Sequence, residues 1–340
     1  MRDWERVTCF ESLYRAHMKL RRGRSRKSRL LKFEFDLGRN LYRLQEELLS
    51  GNYQMKGYRH FEVYEPKRRD IFDVGHGDKV VMTALCDEVL IPRVVRTFIY
   101  DNIACQKGKG THFGLKRLTE FFRRHYRTYG NEGYVLKCDI SKFFGTINHA
   151  ILRDQLKTYI KDEAVLKLLS CYIDSFHTPE RPGVGIPLGN QTSQWFALMY
   201  LNQLDHFIKE KLQIKAYIRY MDDFILIHHD KKYLWECLAK IKEIVEGELQ
   251  LTLNPKTAII PINQGVEFLG WKFFLRSSGK VVRRLKRQSK LRFQRRVKAA
   301  NQAFFYGEIE LKETLQVWAS YKGHLKHGHT YLLLKGARNS

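Results

Sequence analysis

Proline is scarce in this chain, 7 of 340 residues, and no internal repeat or low-complexity tract accompanies it, which excludes collagen-like, proline-rich and disordered classes. The six cysteines, Cys9, Cys86, Cys105, Cys138, Cys171 and Cys237, lie far apart without Cys-x-x-Cys spacing. That removes a zinc ribbon and a disulfide framework, and predicts reduced core thiols. No apolar run approaches the ~18 residues of a membrane span. The opening Met-Arg-Asp-Trp-Glu-Arg has no signal-peptide core, so a cytoplasmic protein without a membrane partner is expected. Acidic residues are also few. Against 61 Lys and Arg stand 36 Asp and Glu, a net charge of +25 on a chain long enough for two or three packed units. An excess of that size calls for a polyanionic partner, and nucleic acid is the default.

The charge is uneven. From Ser12 to Phe33 there is no acid, while Arg15, Lys19, Arg21, Arg22, Arg24, Arg26, Lys27, Arg29 and Lys32 supply nine positive charges. A second acid-free stretch, Phe268 to Gly307, carries twelve, among them Arg283, Arg284, Lys286 and Arg287. One such run fits a solvated helix face or a flexible arm; two on one chain favour phosphate-backbone contacts.

Between the runs, helical periodicity marks Leu41–Leu49, Lys79–Leu90, Gly114–His125, Ala150–Ile160, Ser193–Lys211 and Leu234–Leu249. Short β-prone pieces fall at Phe61–Tyr64, Tyr134–Asp139, Ala216–Tyr220, Phe224–His228, Ala258–Ile262 and Val266–Phe274, with a turn at Ser278-Gly279. From Leu285 to Gly328 the chain reads as basic helix. The pattern is α+β with an antiparallel hairpin near its centre.

That hairpin, Ala-Tyr-Ile-Arg-Tyr-Met-Asp-Asp-Phe-Ile-Leu-Ile over residues 216–227, places Asp222 and Asp223 at a tip where both charges can be solvated. A pair of acids at a turn is usually just a polar turn. Here the flanking strands are too apolar for a surface, and a third acid, Asp139, ends the apolar strand Tyr134-Val-Leu-Lys-Cys-Asp139 in the same manner. Carboxylates at neighbouring strand ends are what hard divalent cations require.

These residues resemble those of a reverse transcriptase. Tyr220-Met221-Asp222-Asp223 looks like the palm signature and Asp139-Ile-Ser-Lys-Phe-Phe144 like the preceding aspartate motif. Gly189-Asn-Gln-Thr-Ser193-Gln194 is similar to the Gly-x-x-x-Ser motif, Leu253-Asn-Pro-Lys256 to the lysine motif, and Phe268-Leu269-Gly270-Trp271-Lys-Phe273 to the primer grip. Leu188 before the glycine and Gln194 after the serine resemble the reverse transcriptases of diversity-generating retroelements, as do Glu65-Pro-Lys67-Arg68-Arg69-Asp-Ile71, the segment from Asp101 to His112 and that from Ser320 to His327. One departure is Lys79 in Asp78-Lys79-Val80-Val81, where the family usually has arginine.

The resemblance implies an α+β right-hand polymerase with fingers, palm and thumb. Residues 1–50 would be a basic N-terminal arm and helix, 51–134 and 150–187 fingers, 135–149 and 188–279 palm, and 280–340 a basic helical thumb. It implies two Mg2+ ions, with Mn2+ as a substitute, held by Asp139, Asp222 and, more weakly, Asp223. Lys67 and Arg69 would reach the triphosphate of a deoxynucleoside triphosphate and Lys256 would protonate the departing pyrophosphate. Phe144 would exclude a ribose 2′-hydroxyl, while Leu188, Gly189 and Gln194 would line the nucleotide site. Phe268, Leu269, Gly270 and Trp271 would hold the end of a DNA or RNA primer. Arg21, Arg22, Arg24, Arg26, Arg283, Arg284, Lys286 and Arg287 would contact the backbone of the template RNA and primer. It further implies error-prone cDNA synthesis with errors at template adenines (mutagenic retrohoming), an oligomeric accessory variability protein, and a bacterial, archaeal or phage gene.

A histidine metal site at His324, His327 and His329 lacks an accompanying carboxylate or thiolate, and Trp318 and Tyr321 suit either duplex contact or helix packing. About 65 residues follow the primer-grip segment, so neither a ribonuclease H nor an endonuclease domain is expected. Intron reverse transcriptases usually carry Gln-Gly and Ser-Pro in the middle motif, and retron enzymes carry Val-Thr-Gly after the palm; neither pattern is found, and phage-defence enzymes remain a rival. A decayed polymerase serving as an RNA-binding scaffold is disfavoured because all three acids are present.

Overall fold

The computed structural model describes residues 2–23, 28–64, 67–331 and 333–334. Arg24 and Arg26 of the first basic run, and Glu65 and Pro66 of the fingers motif, lie outside the described residues. In chain order come α1 (Asp3–Thr8), α2 (Phe10–Arg21), α3 (Ser28–Glu34), α4 (Leu37–Leu49), β1 (Tyr58–Val63), β2 (Arg69–Val74), α5 (His76–Leu85), α6 (Ile91–Val94) and α7 (Thr111–Tyr129). Then follow β3 (Tyr134–Cys138), α8 (Phe143–Thr146), α9 (His149–Tyr159), α10 (Glu163–Asp174), α11 (Gln191–Tyr200) and α12 (Asn202–His206). The remainder is β4 (Tyr217–Tyr220), β5 (Asp223–His228), α13 (Lys231–Glu243), β6 (Ala258–Pro261), β7 (Val266–Phe268), β8 (Trp271–Leu275), β9 (Val281–Leu285), α14 (Arg287–Phe305) and α15 (Leu311–Leu325).

Two compact units divide the chain. The first comprises residues 1–100, 140–207 and 241–253. Its central helix α5 buries Val80, Val81, Met82, Ala84 and Leu85, nearly all round, as a helix enclosed by others must. Leu13, Ala16 and His17 of α2 and Leu41, Leu44 and Leu48 of α4 are likewise buried. The described part of the first basic run is therefore packed helix, not a free arm, and much of its charge is answered locally. Arg15 meets Glu88 at 2.9 Å, Lys19 meets Asp87 at 2.6 Å and Arg21 meets Glu34 at 2.6 Å. β1 and β2 form a separate two-stranded antiparallel hairpin.

The second unit comprises residues 101–139, 208–240 and 254–340. It holds an antiparallel sheet of order β4-β5-β3-β6 and a second of order β7-β8-β9. Period-two alternation puts Val135, Ile218, Ile225 and Ile227 on one face of the first sheet, where they pack with Leu118, Phe121 and Phe122 of α7. The same core continues into Phe268, Trp271 and Phe273 of the second sheet, each such buried side chain contributing about 1.5–3 kcal/mol. α14 and α15 pair through Phe293, Val297 and Leu325, with Trp318 and Tyr321 against them. Both aromatics thus serve helix packing.

Two expectations change. The stretch Val266–Phe274 is two strands, because Leu269 and Gly270 both take positive φ, 51° and 84°, and close a two-residue hairpin. Of the thiols, Cys86, Cys138 and Cys237 are buried, but Cys105 is exposed on a loop at φ 56°.

Candidate active site

The sheet of the second unit brings the three acids to one end. β4 and β5 pair with Tyr220 opposite Asp223, so Met221 and Asp222 alone make the turn. Met221 has φ 56°, which a side chain with a Cβ rarely adopts. Its carbonyl accepts a 2.9 Å hydrogen bond from Nη1 of Arg219, a guanidinium wholly buried inside β4. The backbone of Arg219 is itself tied to the segment before α7, donating to Asp101 O and accepting from Ile103 N at 3.0 Å each.

β3 lies antiparallel to β5 with Cys138 opposite Phe224, which places Asp139 level with Asp223. Asp139 is clamped by the turn at Asn254. Asn254 N donates to its carbonyl at 2.8 Å and Nδ2 to its Oδ2 at 2.9 Å. The same asparagine accepts from Lys256 N at 3.0 Å through Oδ1, so the exposed Lys256 stands on a turn bonded directly to Asp139.

Asp223 is not the solvated tip residue expected. It opens β5, and its Oδ1 is buried without a hydrogen-bond partner. Oδ2 lies 3.4 Å from Nζ of Lys137, which also donates to Glu267 O at 2.6 Å. Burial pushes the Asp223 carboxyl up to about 6; Lys137 opposes that, and the Asp139 and Asp222 charges add to it. Among the described residues, no three His, Cys, Asp or Glu side chains are drawn into a ready metal cage. The three neighbouring carboxylates and the orphaned Oδ1 nonetheless suit magnesium, which takes only one or two protein carboxylates and keeps water and phosphate oxygens as its other ligands.

Phe268, Leu269, Gly270 and Trp271 form the β7–β8 turn, with Phe268 and Trp271 buried. Lys286 pairs with Glu267 at 2.7 Å, Arg283 bonds through its backbone to His329, and Arg284 and Arg287 are exposed. In the first unit, Lys67 and Arg69 are exposed at the end of the hairpin where β1 passes into β2, and Arg22 is exposed after α2. Lys79, the departure from arginine, pairs with Asp73 at 2.6 Å. Phe144 is half-buried in α8 beside the buried Phe143. Leu188 O accepts from Phe72 N of β2 at 2.8 Å. Gly189, at φ 117°, lies so near β2 that a Cβ would stand 2.9 Å from Ile71 Cγ2. Gln194 is exposed on α11.

Sequence reasoning gave no role to Arg219, Lys137 or Asn254. The available signal was charge inside apolar strands: an arginine in Ala-Tyr-Ile-Arg-Tyr and a lysine in Val-Leu-Lys-Cys.

Comparison with known proteins identifies the family and the fold. The model of the reverse transcriptase (RNA-dependent DNA polymerase) family matches residues 81–273, more than half of the chain. Protein YkfC of Escherichia coli is 26% identical over 276 residues, 69% of this chain and 71% of its own. The putative COX1/OXI3 intron 1 protein of Saccharomyces cerevisiae is 24% identical over 181 residues, 51% of this chain and 21% of its own. Telomerase from Candida albicans, solved with a fragment of telomeric RNA, superimposes with a TM-score of 0.51 at 13% identity over 68% of this chain. The match spans 46% of that telomerase chain, and the likeness concerns the fold. The chain belongs to the reverse transcriptase family, RNA-directed DNA polymerases built as fingers, palm and thumb.

Proposed function

We propose that this polymerase makes error-prone cDNA from the template RNA of a diversity-generating retroelement, with misincorporation concentrated at template adenines. The observation that carries the reading is the middle motif, Leu188-Gly189 and Ser193-Gln194, in place of Gln-Gly and Ser-Pro. Most reverse transcriptases offer a glutamine amide where Leu188 offers only methyl groups. Since Leu188 and Gly189 are pinned against β2 by the Phe72 hydrogen bond and close packing, no local shift restores a polar anchor there. One lost hydrogen bond is worth about 0.5–1.5 kcal/mol, so Leu188 contributes to infidelity without being its sole cause.

In the proposed mechanism Asp139 and Asp222, with Asp223 as a weaker third, would hold two magnesium ions, or manganese in their place. The ions would supply a lowered pKa for the primer hydroxyl and neutralisation of the phosphates. Lys67 and Arg69 bind the triphosphate oxygens, an ammonium and a fork suited to them. Phe144 turns its ring against a ribose 2′-hydroxyl. Lys256, oriented by the Asn254 turn, gives its proton to the leaving pyrophosphate. Phe268 to Trp271 hold the primer end, and an oligomeric accessory variability protein is the partner.

A second reading, an intron-type reverse transcriptase, is favoured by the likeness to the yeast intron 1 and intron 2 proteins, the latter 28% identical over 127 residues. Sequencing cDNA copied from an RNA of mixed bases separates the two. The proposal expects errors clustered at template adenines, reduced by Leu188→Gln in a protein of unchanged melting temperature. Errors spread evenly over the four template bases favour the intron-type reading. Clustering at adenine that Leu188→Gln leaves untouched retains the retroelement and removes Leu188 from the explanation.

A further inference from the structure

Before α7 the chain runs Gln106-Lys-Gly-Lys-Gly-Thr111, and this loop walls a cavity of about 670 Å3 within the second unit. Lys109, His112, Lys116 and His324 line it, and among the described residues no acid does so. Gly108 and Gly110, at φ 77° and 127°, have open space where a Cβ would stand, so the backbone itself faces the opening. Lys109 is held through Asn102 O and Gln106 Oε1, at 3.2 and 3.0 Å, while burial lowers its pKa and the nearby Asp101 charge opposes that. His112 stacks on His327 with centroids 3.8 Å apart, and His324 stands 6.0 Å away. Burial and mutual repulsion lower the pKa of His324 and His327, as crowding among bases does. No side chain caps the first turn of α7, and that turn holds no acid.

The cavity adjoins the turn expected to hold the primer. A Cβ on Gly114 would lie 2.6 Å from Leu269 Cδ1, so only glycine lets α7 come so near that turn. On the other side, the Trp271 ring packs 5.3 Å from His324, and its indole N–H is buried without a partner.

We propose that this cavity seats one backbone phosphodiester of the primer strand, gripped by Lys109, Lys116, His112 and the backbone of the glycine loop. The chemistry is that of a phosphate oxygen pair meeting cations and N–H donors in a recess whose described lining holds no carboxylate. The position next to Leu269 and Trp271 selects the primer over the template. The inference rests on the polymerase reading.

The test is a walk of neutral methylphosphonate substitutions along the last several primer linkages, with binding of the primer–template hybrid measured for the full chain, without extension. Wild type should show one linkage whose neutralisation weakens binding roughly tenfold. Lys116→Gln and His112→Gln change exposed residues and should fold normally. In Lys116→Gln the hybrid should bind roughly tenfold more weakly and that linkage should cease to matter; His112→Gln should blunt it. A penalty that stays at full size in both variants, or no singular linkage in wild type, overturns the proposal. Inorganic phosphate and pyrophosphate are titrated while the ring protons of His112 and His324 are followed by NMR. Saturation by either anion with no Lys116-dependent linkage assigns the cavity to a free anion and likewise overturns the proposal. Failure of the polymerase reading is distinct: wild type would not extend the unmodified primer, whatever the binding walk shows.

Discussion

Lys142, Met221 and Leu269 hold left-handed backbones, at φ 47°, 56° and 51°, without being glycine. Each lies within a motif to which the active site is assigned, and such conformations cost of order 1–3 kcal/mol unless surroundings impose them. For Met221 the Arg219 guanidinium is part of that imposition. Arg219→Lys keeps the charge but loses the planar fork, so the Met221-Asp222 turn should relax. The expected outcome is a kcat lower by roughly tenfold to a hundredfold and a higher magnesium requirement. KM for the deoxynucleotide should stay nearly unchanged; a variant that merely melts earlier, with normal kcat and magnesium dependence, denies Arg219 this positioning role. Asp222→Asn, a change without alteration of size, should depress single-turnover extension by far more than roughly tenfold while nucleic-acid binding and melting stay near wild type. Extension at a comparable rate to wild type removes Asp222 from the ligand set.

Among the elements, α10 shows how one side chain can join two helices. Asp162 caps it, accepting from Ala164 N at 3.1 Å and Val165 N at 3.3 Å, while its other oxygen accepts from Trp4 N of α1 at 2.9 Å. Asp162→Ala should cost about 1–2 kcal/mol of stability, visible as a lower denaturation midpoint at unchanged slope; a shift within error means water caps both ends equally well. The central hairpin was legible in the sequence because its strand interiors are apolar apart from Arg219, and the Ser278-Gly279 turn because Gly279, at φ 77°, does what glycine uniquely does well. The Leu269-Gly270 turn was not legible, since leucine carries no turn signal and the apolar run continues across it. α2 was hidden by its own charge: Leu13, Ala16 and His17 form the buried stripe beneath arginines that pair with acids distant in sequence. The three acids could be found from sequence, but not that Asp223 faces inward, because the register that buries Oδ1 depends on β3 pairing with β5.

At the scale of the whole molecule, the +25 charge is not all available to a polyanion. Ion pairs engage part of the first basic run, whereas Lys290, Arg295 and Lys298 stand exposed along α14. Changing those three to glutamine should flatten the slope of log affinity against log salt by up to about 2.7 for a duplex, some 0.9 for each phosphate left without its cation. Arg21→Glu should show mainly as reduced stability through Glu34. An unchanged slope for the triple variant, measured across a salt titration, would move nucleic acid off α14.

The end of α15 is fastened to the β7–β9 sheet. A Cβ on Gly328 would stand 1.9 Å from the Trp271 ring, and His329 exchanges two backbone-linked hydrogen bonds with Arg283, at 2.9 and 3.1 Å. α14 leaves that same sheet directly after β9, and its 19 residues carry Phe305 to a distal tip, about 28 Å away at 1.5 Å per residue. Among the described residues, these contacts hold the helical pair at its root. A tilt of about 7° about that root would carry the tip through ~3.4 Å, the spacing of one nucleotide along a strand.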